Sequence, residues 1–242
     1  YLDSDRLEIG LPRAPIMQLD HWVHLLWANQ VAGGVEALKT PKWLWFVRVL
    51  WAAIKSLSVN RWKILAGLNR IGKDCDIHPT SIIEGSILGK GVSVGPYARV
   101  MMSNVGDNAV IMAGAQVEFS TLGQQAMVSE QSVLRFSLLY PKAVASQYLM
   151  QQCILGRETV TTGGAFTMDL NFDREVRVPL DGELHGTGQQ FLGCAFGHGC
   201  RIGKGFWLAS GRTIPNGYFV IRDPETSLSF IPDGLPQQSP LL

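Results

Sequence analysis

Aliphatic residues recur through the middle of the chain at a spacing that fits neither a helix nor an alternating strand. A pair formed by an aliphatic residue and a glycine returns every 17 residues, at Ile71, Leu88, Val105 and Leu122. Each period divides into two steps of six residues and one of five, and small residues stand four places after many of the aliphatic ones. An amphipathic helix would need spacings of three and four, and a half-buried strand would alternate. Three short steps per period predict instead a three-sided solenoid of short parallel strands.

The predicted fold class is mainly β, a parallel β-helix with an N-terminal helical segment. We expect a helical preface over residues 1–66, the β-helix over 67–222 with an excursion at about 165–190, and an extended proline-rich tail over 223–242. The aliphatic residues of the repeat, with Leu139 continuing the series, should point inwards and stack along one inner edge. Glycine, asparagine and aspartate should take the turn conformations that bulkier residues avoid.

The sequence of the helical preface predicts two helices, and the preface contains six of the seven tryptophans. The first helix runs from Asp20, and the second follows Thr40-Pro41, a pair that suits a helix start. The apolar run 43–54 contains Arg48 and is shorter than the ~20 residues of a membrane span, so no span is expected. Two interpretations stay open: a foot that lies on a membrane surface, or a cap that packs on the open end of the solenoid or on a partner. The cap is favoured, since Arg48, Lys55 and Arg61 are too few for a basic face.

Charge, cysteine usage and two short segments add four expectations. A net charge of +1 over 242 residues gives no electrostatic footprint for nucleic acid. The four cysteines are scattered without a CxxC pair, and Cys75 and Cys200 occupy small-residue positions, so we expect buried thiols in a reducing, cytoplasmic compartment. The segment CAFGHGC places Cys194 and Cys200 on different sides of a coil, so no metal site is predicted. The start of the chain carries no recognisable signal segment.

The repeat fails for about 30 residues and resumes at Phe196. Long loops on solenoids often carry the binding site, and this excursion is the most polar part of the repeat region. The residues predicted to bind substrate are Asn171, Asp173 and Asp181. The alternative is a plain two-stranded ribbon over 174–186, because its valines alternate beside an Asp-Gly turn.

The coils resemble the hexapeptide-repeat acyltransferases. The stretch DLNFDREVRVPLDGELHGTGQQFLGCAFGHGCRIGKGFWLASGRTIPNG (169–217) is similar to the C-terminal domain of the sugar-1-phosphate nucleotidylyltransferases, whose bifunctional members acetylate an amino-sugar phosphate with that domain. HWVHLLWANQ in the preface resembles the PWDLLEAN segment of such proteins. The resemblance covers about residues 20–222. It implies a left-handed β-helix, a homotrimer, and acetyl-CoA or another acyl-CoA bound in the groove between neighbouring subunits.

The sequence departs from this family at three places. Phe172 stands where the family has its catalytic histidine, and Phe191 stands where it has a lysine before Leu-Gly. The nucleotide-binding GxGxRxxPLT signature of the upstream domain is absent from the chain, so the sequence predicts no nucleotidyl transfer.

Acyl transfer from a thioester needs a base for the acceptor's proton and a donor for the oxyanion. Neutral histidine suits the first role near pH 7. The predicted catalytic residues are His185, in the excursion, and His198, in a coil turn.

Cofactor binding is predicted in the last coils. Arg201, Lys204 and Arg212 are cations that could face phosphate groups. The small side chain of Ser210 would let a pantetheine arm approach the backbone. The predicted cofactor-binding residues are therefore Arg201, Lys204 and Ser210.

Two functions are consistent with these residues. The first is an acyltransferase that uses acetyl-CoA or another acyl-CoA and modifies an amino or hydroxyl group of a sugar or nucleotide sugar. The alternative is a catalytically degenerate trimeric β-helix that serves as a structural or regulatory module, as the C-terminal part of a sugar nucleotidylyltransferase could. The missing family histidine and lysine favour the second, and the retained excursion favours the first.

Overall fold

The computed structural model describes residues 17–39, 41–56, 60–146 and 148–221. The predicted tail over 223–242, the first 16 residues and Thr40 lie outside these ranges. The helices are α1 (Trp22–Lys39), α2 (Lys42–Ser56) and α3 (Arg61–Gly67).

Within the described ranges, twenty-five short strands follow the helices. In the first five coils they are β1 (Arg70–Ile71), β2 (Asp76–Ile77), β3 (Ile82–Glu84), β4 (Ile87–Leu88), β5 (Ser93–Val94), β6 (Arg99–Met101), β7 (Asn104–Val105), β8 (Val110–Ile111), β9 (Gln116–Glu118), β10 (Thr121–Leu122), β11 (Met127–Val128), β12 (Val133–Arg135), β13 (Leu138–Leu139), β14 (Val144–Ala145) and β15 (Leu149–Gln151). The remainder are β16 (Ile154–Leu155), β17 (Val160–Thr161), β18 (Phe166–Thr167), β19 (Arg177–Leu180), β20 (Glu183–Gly186), β21 (Ala195–Phe196), β22 (Arg201–Ile202), β23 (Trp207–Leu208), β24 (Thr213–Ile214) and β25 (Phe219–Val220).

The strands form the three faces of a parallel solenoid. Face A contains β1, β4, β7, β10, β13, β16, β21 and β24, and face B contains β2, β5, β8, β11, β14, β17, β22 and β25. Face C contains β3, β6, β9, β12 and β15, and β18 pairs with β23 at the same place in the later coils. The predicted fold class, a mainly-β solenoid with an N-terminal helical segment, is confirmed.

The aliphatic residues of the repeat stack in register along face A, as predicted. Ile71 pairs with Leu88, Leu88 with Val105, and Leu122 with both Val105 and Leu139. All except Ile71, in the first coil, are buried. The parallel ladder thus places each period of 17 residues directly on the previous one, which is why a constant spacing produces a continuous core.

The repeat glycines have a different role from the predicted one. A Cβ atom on Gly106 would lie 2.7 Å from the backbone nitrogen of Gln124 in the next coil, although the backbone of Gly106 is not left-handed. Glycine is needed there because successive coils approach closely. Left-handed conformations occur at Asn108, but also at larger residues such as Tyr97 and Lys142. The expectation that glycine, asparagine and aspartate take the turns is therefore met only in part.

A ladder of buried serines runs along the corner between faces C and A. Its members are Asn69, Ser86, Ser103, Ser120, Ser137 and Cys153. Each side chain from Asn69 to Ser137 accepts a hydrogen bond from the backbone N–H of the next member, for example Ser120 Oγ from Ser137 at 3.1 Å. Each of the four serine hydroxyls also donates to the carbonyl two residues earlier, for example Ser120 to Glu118 at 2.7 Å. The ladder satisfies backbone groups that the tight corner removes from water.

The helices pack on two different parts of the solenoid. Leu65 of α3 accepts a hydrogen bond from Gly85 at the first coil, and α3 packs in turn against Ala52 of α2. Helix α1 lies along the side, where its buried Val23 and Leu26 share an apolar cluster with face A and the excursion.

The excursion leaves the solenoid after β18 and returns at β21. Its two limbs run antiparallel, with Leu192 N–H donating to Asp169 and Asn171 N–H donating to Gln190. The antiparallel hairpin β19–β20 closes through Asp181 and Gly182, both with positive φ. This hairpin confirms the ribbon anticipated from the Asp-Gly turn.

Candidate functional site

A cleft of about 580 Å³ lies between the excursion and the last coils. It is lined by Met168, Asn171, Arg174, Glu175, Arg177, Leu184, Ala209, Ser210 and Arg212. The excursion supplies the first six of these residues, and the turn between β23 and β24 supplies the other three. The cleft therefore exists only because the excursion folds back onto its own solenoid.

Three guanidinium groups give the cleft an excess of positive charge. Arg212 Nη1 donates to the backbone carbonyl of Arg177 at 2.7 Å, which ties the last coil to the hairpin. In the described part of the chain, Arg174, Arg177 and Arg212 form no ion pair with a carboxylate. The one acidic residue in the lining, Glu175, accepts a hydrogen bond from the backbone of Gly188 at 2.9 Å. Arginines without carboxylate partners suit a phosphate or carboxylate ligand.

Ser210 adds an unsatisfied hydroxyl to this cleft. Its Oγ is buried and has no hydrogen-bond partner among the described residues. A buried polar group without a partner costs roughly 1–3 kcal/mol, so the described chain leaves the hydrogen-bonding capacity of this hydroxyl unused at the cleft wall.

Asp169 lies at the base of the excursion, one residue from Met168 in the cleft lining. Burial raises the pKa of its carboxyl above the usual range. Burial also raises the pKa of the Cys153 thiol to about 11 and that of Cys194 still further. Both thiols stay protonated near neutral pH, which argues against a nucleophilic role for these two cysteines.

The predicted cofactor-binding residues lie at three separate places along the last coils. Arg201 begins face B, and its guanidinium donates to the backbone carbonyls of Glu158 and Cys200. Lys204 is exposed in the next turn and has no hydrogen bond or ion pair within the described ranges. Of the three predicted residues, Ser210 alone lines the cleft.

Of the three residues predicted to bind substrate, one lines the cleft and two lie outside it. Asn171 lines the cleft, whereas Asp173 and Asp181 do not. Asp181 occupies the hairpin turn with φ 51° and is exposed, so its local role is to close the hairpin.

His185 lies on the hairpin but faces away from the cleft. It pairs with Val178, whereas its neighbour Leu184, which lines the cleft, pairs with Pro179. Successive side chains of a strand point to opposite sides. The imidazole is exposed and has no hydrogen bond within the described ranges.

His198 is held in one orientation at a corner of the solenoid. Its Nδ1 accepts a hydrogen bond from the Arg157 backbone N–H at 2.8 Å, and its ring meets the edge of Tyr140 at 5.4 Å. Since Nδ1 is the acceptor, the neutral ring carries its proton on Nε2. In this arrangement His198 offers a hydrogen-bond donor rather than a base.

The two family departures lie on either side of the excursion. Phe172 is 89% exposed, and Phe191 forms an antiparallel bridge with Leu170. Within the described residues, no histidine lines the cleft, and no group of three or more metal-ligating side chains is placed to hold an ion.

Sequence reasoning missed most of the cleft. The sequence places Arg174 and Arg177 in a polar loop or ribbon and does not indicate that their side chains meet. Arg212 belongs to the cations of the last coils, and nothing in the sequence links it to the excursion. Only the folded hairpin brings the three together.

No known family model matches the sequence, and no curated protein matches it. Among solved structures, the chain is similar to the crystal structure of a Bacillus cereus protein described as a candidate acetyltransferase. The two are 16% identical, and the match covers 64% of this chain and 80% of that one with a TM-score of 0.25. At this TM-score the likeness says nothing about activity. The architecture itself defines the class: a parallel β-helix protein with a cationic cleft beside its last coils.

Proposed function

We propose that this protein is an acyltransferase that modifies an amino or hydroxyl group of a phosphorylated sugar or nucleotide sugar, with an acyl-CoA as donor. The observation that carries the proposal is the convergence of Arg174, Arg177 and Arg212 with the unpartnered hydroxyl of Ser210 in one cleft. The resemblance of the coils to hexapeptide-repeat acyltransferases supplies the reaction class.

The cleft binds the phosphate of the acceptor. Guanidinium groups bind phosphate through paired, charge-assisted hydrogen bonds, and the three arginines come from both walls of the cleft. Asn171 and Ser210 add neutral polar groups that can orient the sugar. The donor's phosphates are assigned to Lys204, an exposed cation outside the cleft.

The chemistry requires a base for the acceptor and a donor for the thioester oxygen. His185 has no competing hydrogen bond within the described ranges, so it is assigned as the base. His198, with its proton on Nε2, is assigned as the donor that stabilises the oxyanion. The acceptor nitrogen or oxygen attacks the thioester carbon, its proton passes to His185, and the CoA thiolate leaves.

This assignment requires a site shared between subunits. His185 and the cleft of the same chain lie on opposite sides of the hairpin, so an acceptor bound in the cleft does not reach its own His185. A homotrimer would place the hairpin of one subunit against the cleft of the next. The homotrimer is therefore part of the proposal.

Calorimetry with two ligands tests the binding assignments. Arg212→Gln should weaken binding of a nucleotide sugar by about 10–100-fold and leave acetyl-CoA unaffected. Lys204→Gln should weaken binding of acetyl-CoA and leave the nucleotide sugar unaffected. Lys90 is an exposed cation on the early coils, so Lys90→Gln should change the affinity for neither ligand. Failure of both ligands to bind the folded protein at millimolar concentration would contradict the proposal.

Mixing two inactive variants tests the shared site. Arg212→Gln and His185→Ala should each lose about 100-fold or more of the activity. After co-refolding, random trimers of the two should recover activity at about a quarter of the sites, because a subunit with an intact cleft can then meet a neighbour with an intact His185. No recovery would exclude a site divided in this way.

The alternative, a structural or regulatory module, is favoured by one observation. Phe172 and Phe191 stand where the resembling family has its catalytic histidine and its lysine, and no histidine of the described residues lines the cleft. Ligand binding without any acyl transfer, over a panel of acyl-CoAs and acceptors, would favour this alternative.

A further inference from the structure

Helix α2 exposes a continuous apolar surface. Its outward residues are Trp43, Phe46, Val47, Leu50, Trp51 and Ile54, and all six are exposed. On an ideal helix of 3.6 residues per turn they fall within an arc of roughly 140°. The opposite side carries the buried Ala52, which packs against Gly67 of α3. The apolar surface is therefore a separate face that the described part of the protein leaves uncovered.

The same region concentrates the positive charge of the chain. Between residues 37 and 73 the sequence has eight basic residues and no aspartate or glutamate: Lys39, Lys42, Arg48, Lys55, Arg61, Lys63, Arg70 and Lys73. The chain has 21 Lys and Arg in all, so 13 remain elsewhere against all 20 Asp and Glu. A net charge of +1 thus conceals a strongly basic segment beside an acidic remainder. These eight residues reverse the preference for a cap, which rested on Arg48, Lys55 and Arg61 alone.

Basic and aromatic side chains lie together on the exposed surface. Lys42 and Arg48 are exposed on α2 and flank the apolar arc from its two sides. On α3 the Arg61 guanidinium lies 4.6 Å from the centre of the exposed Trp62 ring, and Lys63 is exposed beside it. Apolar residues with tryptophan, bordered by Lys and Arg, are typical of helices that lie in the interface of an anionic bilayer.

From these features we infer that helices α2 and α3 dock the protein on an anionic lipid surface. The charge favours lipid over a symmetric pairing of two copies. Such a pairing would bring the same acid-free basic segment against itself, whereas anionic headgroups are complementary to it. Among the helices of the described ranges, none is long and apolar enough to cross a bilayer. The helices therefore lie on the membrane, with the apolar face of α2 at the level of the headgroups.

Vesicle binding by the full chain tests this inference and needs no substrate, so its outcome is separate from that of the acyltransferase proposal. The protein should co-sediment with vesicles of phosphatidylcholine mixed with phosphatidylglycerol, and binding should weaken as salt is added. Vesicles of phosphatidylcholine alone should bind much less. Absence of binding to the anionic vesicles, or binding indifferent to both salt and phosphatidylglycerol, would overturn the inference.

Matched variants locate the surface. Replacing Trp43 and Trp51 with serine should weaken partitioning by at least about tenfold. Trp207→Ser is the control, because Trp207 on the solenoid and Trp43 are both 67% exposed. Arg48→Gln and Lys63→Gln should cost about fivefold each, whereas Lys90→Gln and Arg157→Gln, both exposed, should have no effect.

Two further outcomes would assign the face to another occupant. If the wild-type protein sediments as an oligomer and the Trp43 and Trp51 variant sediments as a smaller species, a second copy covers α2. Tight binding of a nucleic-acid oligomer that displaces vesicles, unaffected by the tryptophan substitutions, would show that the basic segment serves nucleic acid instead.

Discussion

At the residue scale, this protein depends on small polar side chains at positions where the backbone leaves its strands. The serine ladder shows why: each corner removes an N–H from the strand pairing and buries it, and a serine one coil away supplies the acceptor. The ladder has the same 17-residue spacing as the aliphatic positions, so one period provides both the apolar core and its polar corner.

Ser120→Ala tests the ladder. The substitution leaves the backbone N–H of Ser137, a fully buried residue, without its acceptor, and should lower the free energy of unfolding by about 1–3 kcal/mol. Chemical denaturation measures the change. Ser129→Ala is the control, because the Ser129 hydroxyl makes no hydrogen bond within the described ranges; an equal loss in both variants would show that the ladder bond contributes nothing of its own.

Asp169 gives a prediction with a defined pH dependence. Burial raises its pKa, so the folded state binds this proton more tightly than the unfolded state, and ionisation at higher pH destabilises the fold. Asp169→Asn should therefore raise the melting temperature at pH 7. Since an unfolded aspartate ionises near 3.8, the gain should shrink as the pH falls towards about 4. A gain that grows on acidification would contradict the assigned direction.

At the element scale, the excursion is attached by a small apolar cluster. Val176 and Val178 of the excursion, Leu192 at its end, and Val23 and Leu26 of α1 are all buried together against face A. Two elements that lie outside the repeat thus stabilise each other on the side of the solenoid. The geometry of the cationic cleft follows from this attachment, because Arg177 lies between the two buried valines.

Val176→Ala tests the attachment. Loss of two buried methyl groups should cost roughly 1–3 kcal/mol and speed hydrogen exchange in the excursion and in α1, while the coils from β4 to β14 keep their protection. Phe172→Ala, in the same excursion but exposed, should change neither. Uniform loss of protection through all coils would mean that the excursion and the solenoid unfold as one unit.

At the scale of the whole molecule, two surfaces are proposed to bind partners: the outer faces of the solenoid and the exposed side of α2 and α3. The backbone groups of the solenoid faces form their hydrogen bonds within the chain. The outward side chains of these flat faces are therefore free to pack against other subunits in a symmetric oligomer. Helices α2 and α3 lie at the end of the solenoid formed by the first coil, whereas the cleft lies at the end formed by the last coils. Membrane docking at one end would therefore leave the proposed site at the other end open.

Sedimentation equilibrium tests the assembly. The proposed homotrimer should have three times the 26.6 kDa mass of one chain. If the α2 face binds lipid, as inferred above, the Trp43 and Trp51 variant should retain that mass; loss of the trimer in this variant would instead mean that the N-terminal helices contribute to the trimer contact. A monomer at micromolar concentration would contradict both the trimer and the shared site.

The sequence by itself determined the solenoid. In a stacked coil each residue contacts the residue one period away, so a constant spacing between Leu88, Val105 and Leu122 specifies their register directly. The Asp181-Gly182 turn was equally local, because a two-residue hairpin depends on which residues tolerate positive φ. These features could be predicted because their causes lie within one period or one turn.

Only the tertiary structure decided the candidate site and the exposed helix. Arg177 and Arg212 stand 35 residues apart and meet because a non-repeating loop folds back, a contact that no period encodes. The side of the hairpin on which His185 lies depends on the strand register, and the anchoring of His198 depends on Arg157, 41 residues earlier. Likewise, the apolar run of α2 is compatible with a core or a surface, and only the packing of Ala52 against α3 shows which side it leaves exposed.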